Sequence, residues 1–352
     1  MNLIHGGDWA GFEREYGTRP LDFSANISPL GLPDGVRAAA IMALADADRY
    51  PDPLCRALRA ALSERHGVPM ENIVCGNGAA DLIWRLCQAL KPKKAALFVP
   101  TFAEYEAALR AENCEIVQIP LAEADGFRLT EKSAAQIPQG TELLFLCNPN
   151  NPTGRLAERD AVRRLLALCR ERDMTLIADE CFLDFCEEAD IHSLIGALAE
   201  TARLVILRAF TKTYAMAGLR LGCALCGSAA LAEKLQACGQ PWAVSDVAQA
   251  AGIAALQDKD YVNRLRALIS AERKRMIPAL EGLGLRVIPG EANFLLFRAD
   301  DPALCQKLRE RGILIRGCGN FAGLDVNWYR AAIRTEKEND RLLRALGEVL
   351  HG

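Results

Sequence analysis

The chain has 352 residues, a formal charge of −3 and 51% hydrophobic residues, which means two domains or one large α/β unit with side chain enough for a sizeable core. This charge balance gives no bulk attraction for nucleic acid or for an anionic membrane surface. No apolar run approaches the roughly 18 residues of a membrane span, and the opening MNLIHGGDWAGFERE lacks the basic and apolar regions of an export signal.

A cytoplasmic protein is therefore expected. Its 13 cysteines are odd in number and scattered through apolar segments, so they read as reduced and buried. Cys223 and Cys226 form a single C-x-x-C. No second pair accompanies it, and His5, His66, His192 and His351 do not cluster, so no metal is expected.

Residues 1–40 are rich in Gly, Pro and Asn, with little regular structure expected before Asp34. They read as an N-terminal segment packing with a small C-terminal domain. Residues 41–245 read as the large domain. IVCG (73–76), AALFVP (95–100), EIVQIP (115–120), ELLFLC (142–147), TLIAD (175–179), RLVILR (203–208) and LGCALC (221–226) are predicted strands, several separated by amphipathic helical segments. Apolar strands alternating with such helices predict an α/β fold, a mostly parallel seven-stranded sheet covered on both faces. Residues 246–352 read as a smaller α+β domain. A helical region covers about 243–282, followed by strands LRVIP (285–289), ANFLLFR (292–298), ILIRG (313–317) and YRAAIR (329–334), with helices near 302–311 and at the end.

Four motifs can carry chemistry. CGNGAAD (75–81) turns a strand into a helix through glycines, where backbone N–H groups make an anion site. A dinucleotide fingerprint fits poorly, since the third glycine and the later acidic residue are missing, and an ordinary strand-to-helix turn uses the same residues. NPNNPTG (148–154) is a stiff polar loop at the strand edge where open α/β sheets bind ligands, or simply a turn. Asp179, ending a buried strand, needs a partner or a ligand unless it caps a helix. In AFTKTYAMAGLRLG (209–222), Lys212 lies among small and apolar residues. Desolvated, it loses pKa and becomes a nucleophile; reaching solvent, it is an ordinary snorkelling lysine. Gly218 and Gly222 are expected to give this loop room. Taken together, the glycine turn (76–80), Phe102, Asn151, Asp179, Lys212 and Arg220 all fall at strand ends. They match the needs of pyridoxal phosphate: a lysine for a Schiff base, a carboxylate for the ring nitrogen, and cations and helix-end amides for the phosphate.

The order GNG, TFAEY, NPNNPTG, DE and TKTYAMAGLRLG resembles the fold-type I pyridoxal-phosphate enzymes of the aspartate aminotransferase superfamily, in the histidinol-phosphate aminotransferase branch. The resemblance covers almost the whole chain. HGGD (5–8), LDFSANISPLG (21–31), RYPDP (49–53), FLCNPNNPTG (145–154) and ILIRGCGNFAGLD (313–325) look like the branch's decarboxylases of threonine phosphate, which serve cobalamin synthesis. Regulators that use this fold as a sensor carry a DNA-binding module ahead of it. Here the fold's own motifs begin near residue 5, so no such module is expected.

The resemblance implies roles residue by residue. Lys212 binds the cofactor covalently and later moves protons, and Asp179 keeps the ring nitrogen protonated. Asn151 donates to the ring's O3′ and Phe102 stacks on the ring. The amides of Gly78 and Ala79, with Thr211 and Arg220, hold the phosphate. Tyr50, before a proline, reaches the neighbouring subunit's cofactor, which implies a homodimer with shared sites. Arg330 matches a substrate-carboxylate arginine and Arg316 a substrate-phosphate position. Arg334 sits four residues past Arg330, an even spacing that puts both on one side of a strand. His5 and Asn26 help close the site. Ordinary ion pairing is the alternative for Arg316 and Arg334. The substrate implied is a phosphorylated amino acid with about three negative charges. Loss of Cα–H gives transamination and loss of the carboxylate gives decarboxylation; the same residues serve both, and decarboxylation is expected from the resemblance.

Phe182 stands where many aminotransferases of this superfamily place a tyrosine that donates to O3′. With one donor fewer, the Schiff-base pKa is expected to be high. Phe182→Tyr should lower it, as read by titrating the cofactor absorbance; an unshifted or raised pKa would refute the assignment.

Overall fold

The computed structural model describes residues 5–352. Its strands in chain order are β1 (Leu21–Asp22), β2 (Ile73–Gly76), β3 (Lys94–Val99), β4 (Glu115–Pro120), β5 (Leu143–Cys147), β6 (Thr175–Asp179), β7 (Leu204–Ala209), β8 (Gly222–Cys226), β9 (Arg286–Ile288), β10 (Phe294–Arg298), β11 (Ile313–Leu314), β12 (Arg316–Gly317) and β13 (Trp328–Ala332). A seven-stranded sheet runs β2-β8-β7-β6-β5-β3-β4. Its members β3 to β7 pair in parallel, and β8 is antiparallel to both β7 and β2.

Burial on both faces explains why these strands are continuous apolar runs. Along β5, Leu143 and Phe145 pack into a cluster with Tyr105 and Leu109 on one face. Leu144 and Leu146 pack into the larger cluster on the other, with Leu165 and Leu168 of the helix Arg159–Arg172. Only β4 is largely exposed, as suits an edge strand.

A second sheet, β12-β13-β10-β9, is antiparallel. The strand β1 leaves the N-terminal segment and pairs in parallel with β11, Leu21 opposite Ile313.

The structure differs from the sequence reading in four places. Trp9–Tyr16 is a helix, although little regular structure was expected before Asp34. Its signals are the side chain of Asp8, which accepts from Gly11 N at 3.1 Å, and Gly17, which ends it at φ 71°. The region 243–282 is two helices, Asp246–Gln257 and Lys259–Gly282; Asp258 divides them and caps the second, accepting from Tyr261 N at 3.0 Å. The strand expected at 313–317 breaks at Ile315, so β11 pairs with β1 and β12 with β13. The strand expected to reach Arg334 stops at Ala332.

In open parallel sheets ligands bind where neighbouring strands send their connections opposite ways. Here that point lies between β3 and β5: β3 leads outward to β4, while β5 leads the other way to β6. Beyond the two strand ends, Thr101 Oγ1 donates to Asn150 Oδ1 at 3.0 Å and Asn150 Nδ2 donates to the carbonyl of Pro100 at 2.9 Å.

The loop after β5 also meets the turn between β9 and β10. Glu291 N donates to the carbonyl of Gly154 at 2.6 Å. A Cβ at Gly290 would lie 2.8 Å from Gly154 Cα and 2.9 Å from the carbonyl oxygen of Thr153, both backbone atoms. Gly290→Ala should therefore destabilise the protein by about 2 kcal/mol, seen as a lower thermal midpoint; an unchanged midpoint would show that the two loops separate without cost.

Candidate active site

At the switch point lies a cavity of ≈ 580 Å³. Ala79, Phe102, Asn151, Asp179, Thr211, Lys212 and Arg220 line it, as do His5, Asn26, Arg316 and Arg330.

One wall is the turn from β2 into the helix Gly78–Leu90. Gly78 has φ 81°, and a Cβ there would stand 2.6 Å from Arg220 Nη2. The guanidinium thus occupies space that only glycine leaves open. Arg220 itself is left-handed at φ 63°, and its Nη2 reaches the carbonyl of Asn77 at 3.4 Å. A Cβ at Gly222 would come within 2.6 Å of Ala79 N, whereas one at Gly218 would meet nothing within 4 Å. The room expected of two glycines is needed at Gly222 alone.

Lys212 lies in the short helix Phe210–Thr213 that follows β7. Its carbonyl accepts from Ser28 N at 3.0 Å, joining the segment that carries Asn26 to the lysine turn. Its half-buried side chain makes no hydrogen bond or ion pair among the described residues. Burial pushes its ammonium down to about 8, and the nearby guanidinium of Arg330 adds to the shift.

Asp179 ends β6, with one donor on each carboxylate oxygen. Tyr105 donates its hydroxyl to Oδ2 at 2.6 Å and Cys181 its amide to Oδ1 at 3.0 Å. Tyr105 is buried and stacks on Phe145 at 4.5 Å between ring centroids. Neither Tyr105 nor Cys181 was singled out from the sequence. The signal for Tyr105 was its place three residues after Phe102, one helical turn along. Phe182 lines the cavity and meets Phe294 edge-on at 5.1 Å.

At the opposite side, Arg316 and Arg330 are register partners across β12 and β13. Like charges directly opposed across a ladder are destabilising unless something between them is negative. Burial lowers both, Arg330 to about 10. Arg330 donates to Asn151 Oδ1 and, at 2.9 Å, to the carbonyl of Ser24, while its Nε has no hydrogen-bond partner. Arg316 donates to Asn320 Oδ1 at 2.7 Å. Asn26 is 3% exposed and its Oδ1 is also unpartnered. His5 Nε2 lies 2.7 Å from Glu104 Oε1 at the rim, and Trp84 Nε1 holds the other oxygen of Glu104 at 3.0 Å.

Three expected residues lie outside the lining. Gly78 sits beneath Arg220. Tyr50 is 79% exposed and stacks on Trp242 at 4.5 Å. Arg334 corrects the sequence reading, because β13 ends before it. Its guanidinium lies 2.7 Å from Glu338 and donates to the carbonyl of Asp22 at 3.2 Å, which is ordinary ion pairing and not convergence on an anion.

The site therefore gathers a lysine with no partner among the described residues, a carboxylate with a donor on each oxygen, a cationic helix-end turn and two opposed arginines. A family model for class I and II aminotransferases matches residues 18–346. The chain belongs to that family. Its architecture is that of the fold-type I pyridoxal-phosphate enzymes. The chain is 40% identical over 358 residues to threonine-phosphate decarboxylase of Salmonella typhimurium, covering 100% of this chain and 98% of that one. It is 37% identical over 338 residues to histidinol-phosphate aminotransferase of Desulfitobacterium hafniense, covering 93% of this chain and 91% of that one. The solved structure of L-threonine-O-3-phosphate decarboxylase from Porphyromonas gingivalis superposes with a TM-score of 0.83 over 94% of this chain and 99% of that one, at 27% identity. Among the described residues of this aminotransferase-family protein, no helix is long and apolar enough to cross a membrane, and no group of three or more His, Cys, Asp or Glu could hold a metal ion.

Below about 8 the amine of Lys212 is protonated and unreactive; above it the amine is free. Arylation of Lys212 by trinitrobenzenesulfonate in the cofactor-free protein, mapped by mass spectrometry, should reach half its limiting rate near pH 8. A midpoint at the ordinary lysine value of about 10.4 would show that the amine is not desolvated.

Proposed function

We propose that the protein is a pyridoxal-phosphate-dependent carboxy-lyase. It converts L-threonine O-3-phosphate into (R)-1-aminopropan-2-ol O-phosphate and carbon dioxide, providing the aminoalcohol linker of cobalamin. The observation that carries this reading is the opposed pair Arg316 and Arg330 at a cavity that also contains Lys212 and Asp179. Such a pair suits a substrate with a carboxylate at one end and a phosphate at the other. Relatedness along the whole chain to an enzyme named for that reaction supports the substrate.

The residues present fit the cofactor. The orphaned Nε–H of Arg330 and the Arg220 guanidinium packed against Gly78 suit an anionic occupant, and the orphaned Oδ1 of Asn26 suits a donor on it. A bound pyridoxal phosphate would supply an electron sink for Cα as the carboxylate leaves. Lys212 would hold it covalently, and Nζ of Lys212 would deliver the proton that replaces the carboxylate at Cα. Asp179 accepts the ring N–H, while Tyr105 and the amide of Cys181 fix the plane of its carboxylate. With Oδ1 taken by Arg330, Asn151 is left with its Nδ2 to donate to the ring's O3′. Phe102 covers the ring. The amides of Gly78 and Ala79, the hydroxyl of Thr211 and the guanidinium of Arg220 hold the phosphate. Arg330 takes the substrate carboxylate and Arg316 its phosphate, and His5 and Asn26 close the space around them.

The active form is a homodimer in the cytoplasm. Tyr50, Ile41 and Met42 are 79%, 62% and 76% exposed, and apolar groups so exposed suit an interface. Tyr50 then contributes to the partner's phosphate site. Histidinol-phosphate transamination is the second reading, favoured by relatedness to that aminotransferase.

Purified holoenzyme incubated with threonine phosphate and no keto acid should release carbon dioxide and leave the cofactor as the aldehyde. Conversion to the amine form, with turnover only after a keto acid is added, would overturn decarboxylation in favour of transamination. Arg330→Lys loses the bidentate fork and should lower kcat/KM by roughly 100-fold; wild-type kinetics would remove Arg330 from substrate binding.

A further inference from the structure

The helix whose Ala79 and Ala80 line the cavity carries a carboxylate, Asp81, in its own first turn. Asp81 Oδ2 accepts from Asn77 N at 2.8 Å, which fixes the turn. It also places negative charge at the helix end where an anion binds, and charge there counts directly for or against that anion.

Arg85, one turn further on and 4% exposed, answers that charge. Its Nε donates to Asp81 Oδ1 at 2.9 Å, and its Nη2 lies 2.6 Å from Oδ2. Asn77 is thereby gripped at both ends: Asp81 takes its N–H, and Arg220 Nη2 reaches its carbonyl at 3.4 Å. The far side of the Arg85 guanidinium rests on Gly239, where a Cβ would lie 2.2 Å from Nη1 and 2.5 Å from Cζ. Gly239 is not left-handed, so glycine is there for room. Three residues on, Trp242 stacks on Tyr50.

We propose that Arg85 is a positioning residue for the anion cradle. It neutralises Asp81, so that the first turn of the helix presents positive potential to a phosphate monoester, and through Asp81 it holds Asn77 and Gly78 in the shape that binds it. Gly239 is the space that lets Arg85 do so. The inference rests on the reading of this wall as the cofactor's phosphate site.

The test compares binding of pyridoxal phosphate and of phosphate-free pyridoxal to the full-length cofactor-free protein, followed by absorbance of the lysine adduct. Arg85→Met should weaken pyridoxal phosphate about tenfold and leave pyridoxal within about twofold. Asp81→Asn, which keeps an acceptor for Asn77 N and removes the charge, should bind pyridoxal phosphate as tightly as wild type or more so. The double variant should return close to wild type. Gly239→Ala displaces the guanidinium and should reproduce part of the Arg85→Met loss; it and Asp81→Asn carry the test if Arg85→Met does not fold, as judged by circular dichroism. Equal losses for both aldehydes, or a loss in Asp81→Asn matching that in Arg85→Met, would overturn the inference. A wild-type protein with no preference for the phosphorylated aldehyde would instead overturn the cofactor reading itself.

Discussion

Everything in this structure is arranged around an excess of positive charge in a confined space. Lys212, Arg220, Arg316 and Arg330 face one cavity, together with the carboxylates of Asp179 and Glu104. Glu104 is already engaged by His5 and Trp84. Burying cations is costly, and burial pushes Lys212 down to about 8 and Arg330 down to about 10. Packing alone gives no reason to place them there. Anions as part of the working state do, because each phosphate or carboxylate that enters offsets the desolvation of the groups it meets.

Three separate parts of the chain must come together to hold those charges. The seven-stranded sheet delivers Asn151, Asp179 and Lys212 just beyond or at the ends of β5, β6 and β7. The antiparallel sheet delivers Arg316 and Arg330 on neighbouring strands. The N-terminal segment joins the two: Ser28 N binds the carbonyl of Lys212, and the carbonyl of Ser24 receives Arg330. A buried cation anchored to a backbone carbonyl is placed without being neutralised, which keeps its charge available.

The sequence made the strands legible because fully buried strands are runs of apolar residues, and the site legible because its residues sit where those runs stop. What it hid depended on where elements end. Thr335 and Glu338 form a capping box for the helix Glu336–His351, and Glu338 takes Arg334. Even spacing alone could not show that β13 ends two residues earlier. Tyr105 was hidden for another reason: its partner is 74 residues away in sequence, and a buried tyrosine on an amphipathic helix looks like core until the acceptor is known. Gly218 and Gly222 look alike in sequence, and only the approach of Ala79 tells them apart. The helix Trp9–Tyr16 was legible through Asp8 and Gly17, but its short amphipathic pattern is overshadowed by the surrounding Gly and Pro.

The same charge argument accounts for how one site can suit two reactions. Decarboxylation and transamination differ in which bond at Cα breaks, and both need the electron sink, the lysine and the carboxylate at the ring nitrogen. On the proposed reading the ends of the substrate decide its rotation about Cα, and those ends would be anions held by Arg316 and Arg330 on the antiparallel sheet. Arg330 is fixed by Ser24 and Asn151, so a carboxylate bound to it would be tied in position to the residue proposed to touch the cofactor ring. Arg316 sits on the two-residue strand β12, where its guanidinium meets Asn320 Oδ1 and the face of Phe321 at 5.7 Å. On the proposed reading, selectivity between the two outcomes falls to how Arg316 and Arg330 aim the two ends of the substrate while the cofactor residues stay in place.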